Sequence, residues 1–424
     1  MKVLLISANT ETINMPVFPL GLASVAQAVI DAGHRTAWLD LMGKSDIRTV
    51  IEREISSFSP DLIGISVRNV DDQNMLNPGF LLSIVKGVVR ICKEVSNVPV
   101  LIGGSGYSIF PESSLDYLKA DMGIQGEGEN VVPELFDCIE NDRSFSEIAG
   151  LYIRGRGLQS ERKFEKNLDN FPFPDPALFP TSVYEGENFY VPIQTRRGCP
   201  LACSYCSTGT VEGRVIRSRS VDSVIQWINK WVERDFRRFQ FVDNNFNIPP
   251  DYAKELCRKI REANLDIKWR SIIYPGRLDE SLIKSMATAG CNEVSLGFES
   301  GCDDILAGMN KHFSAKDVVN SAKMLIDNNI KVMGFLLLGG PGETKETALR
   351  SLDFIEGLNL NSLRITTGIR IYPNTKLMET ALEHDMIKEN DDLLFPRFYM
   401  AEKIQDWLVD TVRERAKKHT NWIM

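Results

Sequence analysis

The stretch "TRRGCPLACSYCS", residues 195–207, puts three of the chain's eight cysteines in one loop, with three residues between the first pair and two between the second. It directly follows "YVPIQ" (190–194), which reads as a strand. Outward from there, "RFQFVDN", "IKWRSIIY", "NEVSLGFES", "IKVMGFLLLGG" and "LRITTGIRIY" are further strand-like runs, each followed by a helical pattern. Six strand–helix units over roughly 195 residues fall short of the eight of a full barrel, so a partial barrel of six parallel strands is expected. Such folds place chemistry at the carboxyl ends of the strands, where the cysteine loop lies.

The amino-terminal half alternates in the same way. "KVLLIS" precedes "LGLASVAQAVIDAG", whose Leu22, Val25, Ala26, Val29 and Ile30 recur at helical spacing, with Gly33 as the stop. "TAWLD", "DLIGISV", "PVLIGGSG" and "DMGIQGEGE" complete five strands separated by helices, which predicts a doubly wound parallel α/β domain. Pro172, Pro174, Pro176 and Pro180 in "NLDNFPFPDPALFP" forbid a regular helix. The expected organisation is a Rossmann-like domain over 1–145, a Pro-rich linker over 146–190, the barrel over 191–385 and a helical tail over 386–424. In the tail, Ile404, Trp407, Leu408 and Val412 line one helix face, expected to close the open side of the barrel.

At 424 residues, 43% hydrophobic and 25% charged, the chain suits a soluble two-domain protein. Its net charge of −8 argues against general nucleic-acid binding. No run is long enough for a membrane span and no export signal is visible, so a cytoplasmic location with reduced thiols is expected.

Structural zinc normally takes four protein ligands, yet the four histidines (34, 312, 384, 419) all lie far from the cysteine loop. Cuboidal iron–sulfur clusters are held by closely spaced thiolates, and three would leave one iron open. A catalytic zinc remains the alternative on these residues alone.

The CxxxCxxC pattern of Cys199, Cys203 and Cys206, with Tyr205 before the last, resembles the signature of the radical S-adenosylmethionine enzymes. The resemblance implies a 4Fe–4S cluster whose open iron chelates S-adenosylmethionine, one-electron cleavage to a 5′-deoxyadenosyl radical, and a six-unit partial barrel. It implies that Tyr205 lies against the adenine and that Glu299, in "SLGFESG", contacts the ribose. Many relatives carry Gly-Gly-Glu after the second strand for the methionyl amino group; this chain has "FVDNNF", leaving Asp243 and Asn244 as candidates. Gly339 and Gly340 in "LLLGGPGET" resemble the glycine–proline turn of the family's cobalamin branch, and Arg370 after strand six is expected to face the site.

The first domain lacks GxGxxG after its first strand, which argues against a dinucleotide. It resembles the cobalamin-binding domain of one large subclass. Gly103, Gly104, Ser105 and Gly106 would lie near the corrin, and Gly126, Glu127 and Gly128 near the nucleotide tail. D-x-H-x-x-G, whose His ligates cobalt in some relatives, is absent, so Arg68 and Asn69 are the groups expected beneath the metal.

The function so implied is a cobalamin-dependent radical methyltransferase acting on a small metabolite or biosynthetic intermediate, reduced by a donor such as flavodoxin or ferredoxin. Three rivals stand beside it: rearrangement, cyclisation or ring contraction without methylation; loss of cobalamin; and a non-catalytic iron–sulfur or zinc regulator. A catalytic thiol at Cys291 or Cys302 is a further reading.

Overall fold

The computed structural model describes residues 1–11, 17–178, 184 and 189–424; Pro180 lies outside them. Its contacts divide the chain into two units, one of Met1–Asp72, Gly79–Phe189 and Thr210–Gly213, the other of Gln73–Pro78, Tyr190–Gly209 and Arg214–Met424.

The first unit is built on five parallel strands, β1 (Lys2–Ser7), β2 (Arg35–Asp40), β3 (Leu62–Ser66), β4 (Val100–Gly103) and β5 (Met122–Ile124), in the order β2-β1-β3-β4-β5. Val3, Leu4, Leu5 and Ile6 are all buried, as a strand covered on both faces requires. Helix Leu20–Asp31 turns Leu22, Ala23, Ala26 and Val29 into the same core as Leu135 and Phe136 of helix Gly128–Glu140. The strand order reverses between β1 and β3, and their carboxyl ends form the crevice where open α/β sheets bind ligands.

The expected linker is shorter than 146–190. Leu151–Ile153 pairs antiparallel with β5, and Gly157–Leu158 folds back on it, extending the sheet to seven strands. Period-2 alternation is too short there to announce a strand; pairing with β5 supplies the order. The proline-rich run is anchored as well, with Leu168, Phe171 and Pro176 buried around two 3-10 turns.

The second unit is a parallel sheet of six strands in sequence order: Val191–Ile193, Arg238–Phe241, Lys268–Ile273, Cys291–Glu299, Lys331–Leu338 and Ser362–Thr367. They are called here barrel strands one to six. The five longer strands alternate: on strand four Val294, Leu296 and Phe298 are buried, and Phe298 packs edge-on against Phe354 of helix Lys345–Glu356. Gly297 therefore faces the barrel interior.

The tail is more than a helix. Phe398–Tyr399 pairs antiparallel with Ile369–Arg370, helix Gln405–Ala416 buries Leu408 and Val412, and Trp422–Ile423 adds a seventh, parallel edge strand beside strand six. No described helix is long and apolar enough to cross a membrane.

Candidate active site

The cysteine loop is held at its root by one buried ion pair. Asp243, after strand two, accepts from the backbone N–H groups of Thr195 and Arg196 at 2.7 and 3.0 Å through one oxygen. Its other oxygen accepts from Thr195 Oγ1 at 2.5 Å and from Arg196 Nε and Nη2 at 3.1 and 2.8 Å. Arg196 also donates to the carbonyls of Ile248 and Phe246, both at 3.0 Å, with its guanidinium over the Tyr252 ring. Both residues are nearly inaccessible, 3% and 1% exposed. Asp243 thus corrects the expectation of a methionyl amino contact, because both its oxygens are committed inside the protein. Asn244 is partly exposed beside it.

Asn245, which the motif reading passed over, points its Nδ2 at Cys199 Sγ, 3.7 Å away. It was legible in "FVDNNF" as one of two adjacent amides, but only the turn after the strand brings it to the sulfur.

Cys199 is buried, Cys203 half-buried and Cys206 exposed, with Cys206 N–H donating to the Cys203 carbonyl at 3.2 Å. Ser204 N–H donates to the Met309 carbonyl at 3.0 Å, and Leu377 N–H donates to the Ser204 carbonyl at 2.8 Å. Asn310 Nδ2 donates to the Ala202 carbonyl at 2.7 Å. Among the described residues no three His, Cys, Asp or Glu side chains converge as for a single ion. Three thiols on one pinned loop fit a cuboidal cluster, in which each thiolate takes its own iron.

Glu299 ends strand four at a bulge: Gly297 pairs with Phe335 and Glu299 with Leu336, skipping Phe298. Its φ of 67° is left-handed, unusual outside glycine, and such irregularities re-aim side chains near active sites. Glu299 Oε1 receives Lys311 Nζ at 3.2 Å, and that ammonium lies 5.3 Å from the centre of the Tyr205 ring. Burial raises the Tyr205 phenol well above its ordinary pKa. Burial alone would lower Lys311, but Glu299, Tyr205 and Cys203 around it hold the ammonium well above its ordinary value. Lys311 carries no motif signal and was invisible in the sequence.

Two further expectations concern Gly339, Gly340 and Arg370. Gly339 and Gly340 both donate their backbone N–H to Glu343 Oε2, the latter at 3.2 Å. A Cβ on Gly339 would meet Met400 Sδ at 2.7 Å, so the close approach this turn needs is to its own chain. Arg370 donates to the carbonyls of Ile371 and Leu393 at 2.6 and 2.8 Å, bracing the tail. Cys291 and Cys302 are buried, and Cys302 Sγ donates to the Thr347 carbonyl at 3.4 Å, which makes both packing residues.

Glu343 is 3% exposed, and its Oε1 has no hydrogen-bond partner among the described residues. Burial pushes the carboxyl up to about 7 against the pull of the two glycine N–H groups. The unfolded chain loses this proton near the ordinary value of 4.5 and the folded chain near 7. Stability is therefore highest below the lower value and falls as pH rises to the upper one, by about 3 kcal/mol. Urea midpoints across that window should slope downward in the parent and be flat in Glu343→Gln.

In the first unit, a cleft at the ends of β1 and β3 is lined by Asn9, Glu11, Ser66, Arg68 and Asn69. Asn9 Nδ2 is buried there without a partner among the described residues, an orphan donor that fits a polar ligand. Gly104, at φ 105°, and Gly106 are required by the protein itself: a Cβ on either would strike the Val67 or Arg68 carbonyl at 2.5 or 3.0 Å. Together with Ser105 Oγ, which donates to the Arg68 carbonyl at 2.8 Å, they fix the Arg68–Asn69 backbone at the cleft. A Cβ on Gly103 would make only an ordinary contact. Gly126 N–H donates to Ser108 Oγ at 3.0 Å, Glu127 accepts from Glu165 N–H at 2.9 Å, and Gly128 packs on Val25. His34 sits at the opposite end of the sheet, 3.1 Å from the amino terminus.

Comparison with known proteins agrees with both halves. Residues 193–355 match the model of the radical SAM superfamily, and residues 6–136 that of the B12 binding domain. The chain belongs to the cobalamin-dependent radical S-adenosylmethionine enzymes. An uncharacterized methyltransferase of Pyrococcus horikoshii is 27% identical to this enzyme, over 91% of this chain and 84% of its own. Tryptophan 2-C-methyltransferase of Streptomyces laurentii is 23% identical, over 88% and 74%. Among solved structures, the radical S-adenosylmethionine methyltransferase TsrM from Kitasatospora setae, with tryptophan and a SAM analog bound, superposes with a TM-score of 0.90 at 21% identity, covering 100% of this chain and 91% of that one. The cobalamin-dependent enzyme OxsB reaches 0.76 at 15%, covering 97% and 67%. The cofactors of this radical S-adenosylmethionine enzyme are a 4Fe–4S cluster, S-adenosylmethionine and cobalamin.

Proposed function

We propose that this enzyme moves a methyl group onto an unactivated position of a small molecule. One observation carries the reading: a single chain joins a three-cysteine loop, without a fourth cysteine or histidine in it, to a B12-binding sheet whose switch-point cleft presents Arg68 and Asn69. When bound, the cluster supplies one-electron cleavage of S-adenosylmethionine, and cobalamin supplies a carrier for the methyl group.

The chain's own contribution is positional. Cys199, Cys203 and Cys206 hold the cluster on a loop that Asp243 and Arg196 set at the strand ends. Glu299, at its bulge, is placed to accept from ribose hydroxyls, and Tyr205 to flank the adenine. Arg68 and Asn69, which line the switch-point cleft, would hold cobalamin there without a histidine ligand, and the group would supply a carrier for the methyl. The electron comes from a small donor of the flavodoxin or ferredoxin type.

The test is anaerobic reconstitution with iron, sulfide and cobalamin, followed by incubation with methyl-deuterated S-adenosylmethionine and candidate small molecules. Mass spectrometry should find the labelled methyl in a product. Consumption of S-adenosylmethionine with an unlabelled, rearranged product favours the non-methylating reading. A reconstituted protein without corrin absorbance overturns both.

A further inference from the structure

Three consecutive residues after helix Asp303–Gly308 grip the cysteine loop from one side. Met309 accepts from Ser204 N–H at 3.0 Å, Asn310, in a left-handed turn at φ 56°, donates to the Ala202 carbonyl at 2.7 Å, and Lys311 reaches over Tyr205 to Glu299. The first two contacts are neutral and pin the loop's backbone. The third brings in a charge. Lys311 and Glu299 are buried, with side chains 5% and 13% exposed, and water screens them poorly there.

We propose that Lys311 is a positioning residue that sets the reduction potential of the cluster: its ammonium ties Tyr205 to Glu299 and holds a positive charge over Tyr205, the residue that lies between Cys203 and Cys206 in the loop. This rests on the cluster reading above. Reduction of the cluster takes one electron from an external low-potential donor and adds one negative charge to it. A fixed cation in a poorly screened site stabilises that added charge, raising the potential and easing transfer from the donor. Glu299, which also faces the S-adenosylmethionine site, partly offsets the cation. Removing the two partners should therefore move the potential in opposite directions, which loosening of the loop would not do.

The experiment is a dye-mediated redox titration of the reconstituted full-length protein, followed by the electron paramagnetic resonance of the reduced cluster and normalised to iron content. Lys311→Met should make reduction at least tenfold less favourable, a downward shift of about 59 mV for one electron. Lys311→Arg should restore the parent value, and Glu299→Gln should shift it upward. The inference is overturned if Lys311→Met, fully loaded with iron, titrates with the parent, or if Lys311→Met and Glu299→Gln shift the same way. Should Lys311→Met fail to take up iron, the decision passes to Glu299→Gln: an upward shift supports the inference and an unchanged potential overturns it. A parent protein that forms no cluster overturns the functional reading instead, which keeps the two failures apart.

Discussion

Replacing any one of Cys199, Cys203 or Cys206 by alanine should reduce cluster iron to background and abolish S-adenosylmethionine cleavage, while cobalamin absorbance persists. The expected loss is complete because the loop itself holds no fourth cysteine and no histidine, and the remaining five cysteines are buried. Cys92 and Cys257, for example, are pushed by burial up to about 12, unsuited to supplying a thiolate. Cobalamin should stay because its cleft is built from β1, β3 and the Gly104–Gly106 turn of the other unit, which owes nothing to these sulfurs. Iron assay and visible spectra of the three variants check this. Full iron in any one would remove that cysteine from the ligand set, and loss of corrin bands in all three would mean that the two sites do not form separately.

The largest effect on stability is expected at Asp243. Asp243→Asn leaves Arg196 buried and cationic and turns an amide N–H₂ toward groups that themselves donate, at a cost of about 3–5 kcal/mol. Five of the six tryptophans (227, 231, 269, 407 and 422) lie in the barrel unit, so the intrinsic fluorescence of urea unfolding reports mainly on it. Because Thr195 and Arg196 stand three to four residues before Cys199, iron incorporation should fall as well. Arg196→Lys keeps the charge, but a lysine cannot serve Asp243, Phe246 and Ile248 together, and it should lose stability to a smaller degree. A midpoint for Asp243→Asn within about 1 kcal/mol of the parent, with normal iron, would show that the pair is dispensable.

The contrast between Asp243 and Glu299 shows where motif reasoning stops. Both were expected near S-adenosylmethionine because both end a barrel strand. Their neighbours differ: Asp243 meets an arginine and two backbone donors, whereas Glu299 lies at a bulge and accepts from Lys311. Arg370 likewise has a partner that motif spacing does not show, the carbonyl of Leu393, contributed by a tail more than twenty residues later. The hairpin at Leu151–Ile153 and Gly157–Leu158 escaped notice because strands of three and two residues carry too little alternation to register.

By itself the sequence determined the order of the two α/β units, the three cysteines and their place after a barrel strand, and the absence of a D-x-H-x-x-G histidine. These are local: periodicity, spacing and composition act over a few residues and survive without any knowledge of distant contacts. Tertiary structure alone decided that Asn245 meets a sulfur, that Lys311 joins Tyr205 to Glu299, and that Gly104 and Gly106 serve the Arg68 backbone. Those outcomes depend on side chains brought together across tens to more than a hundred residues, and on which donor and acceptor saturate each other once water is excluded.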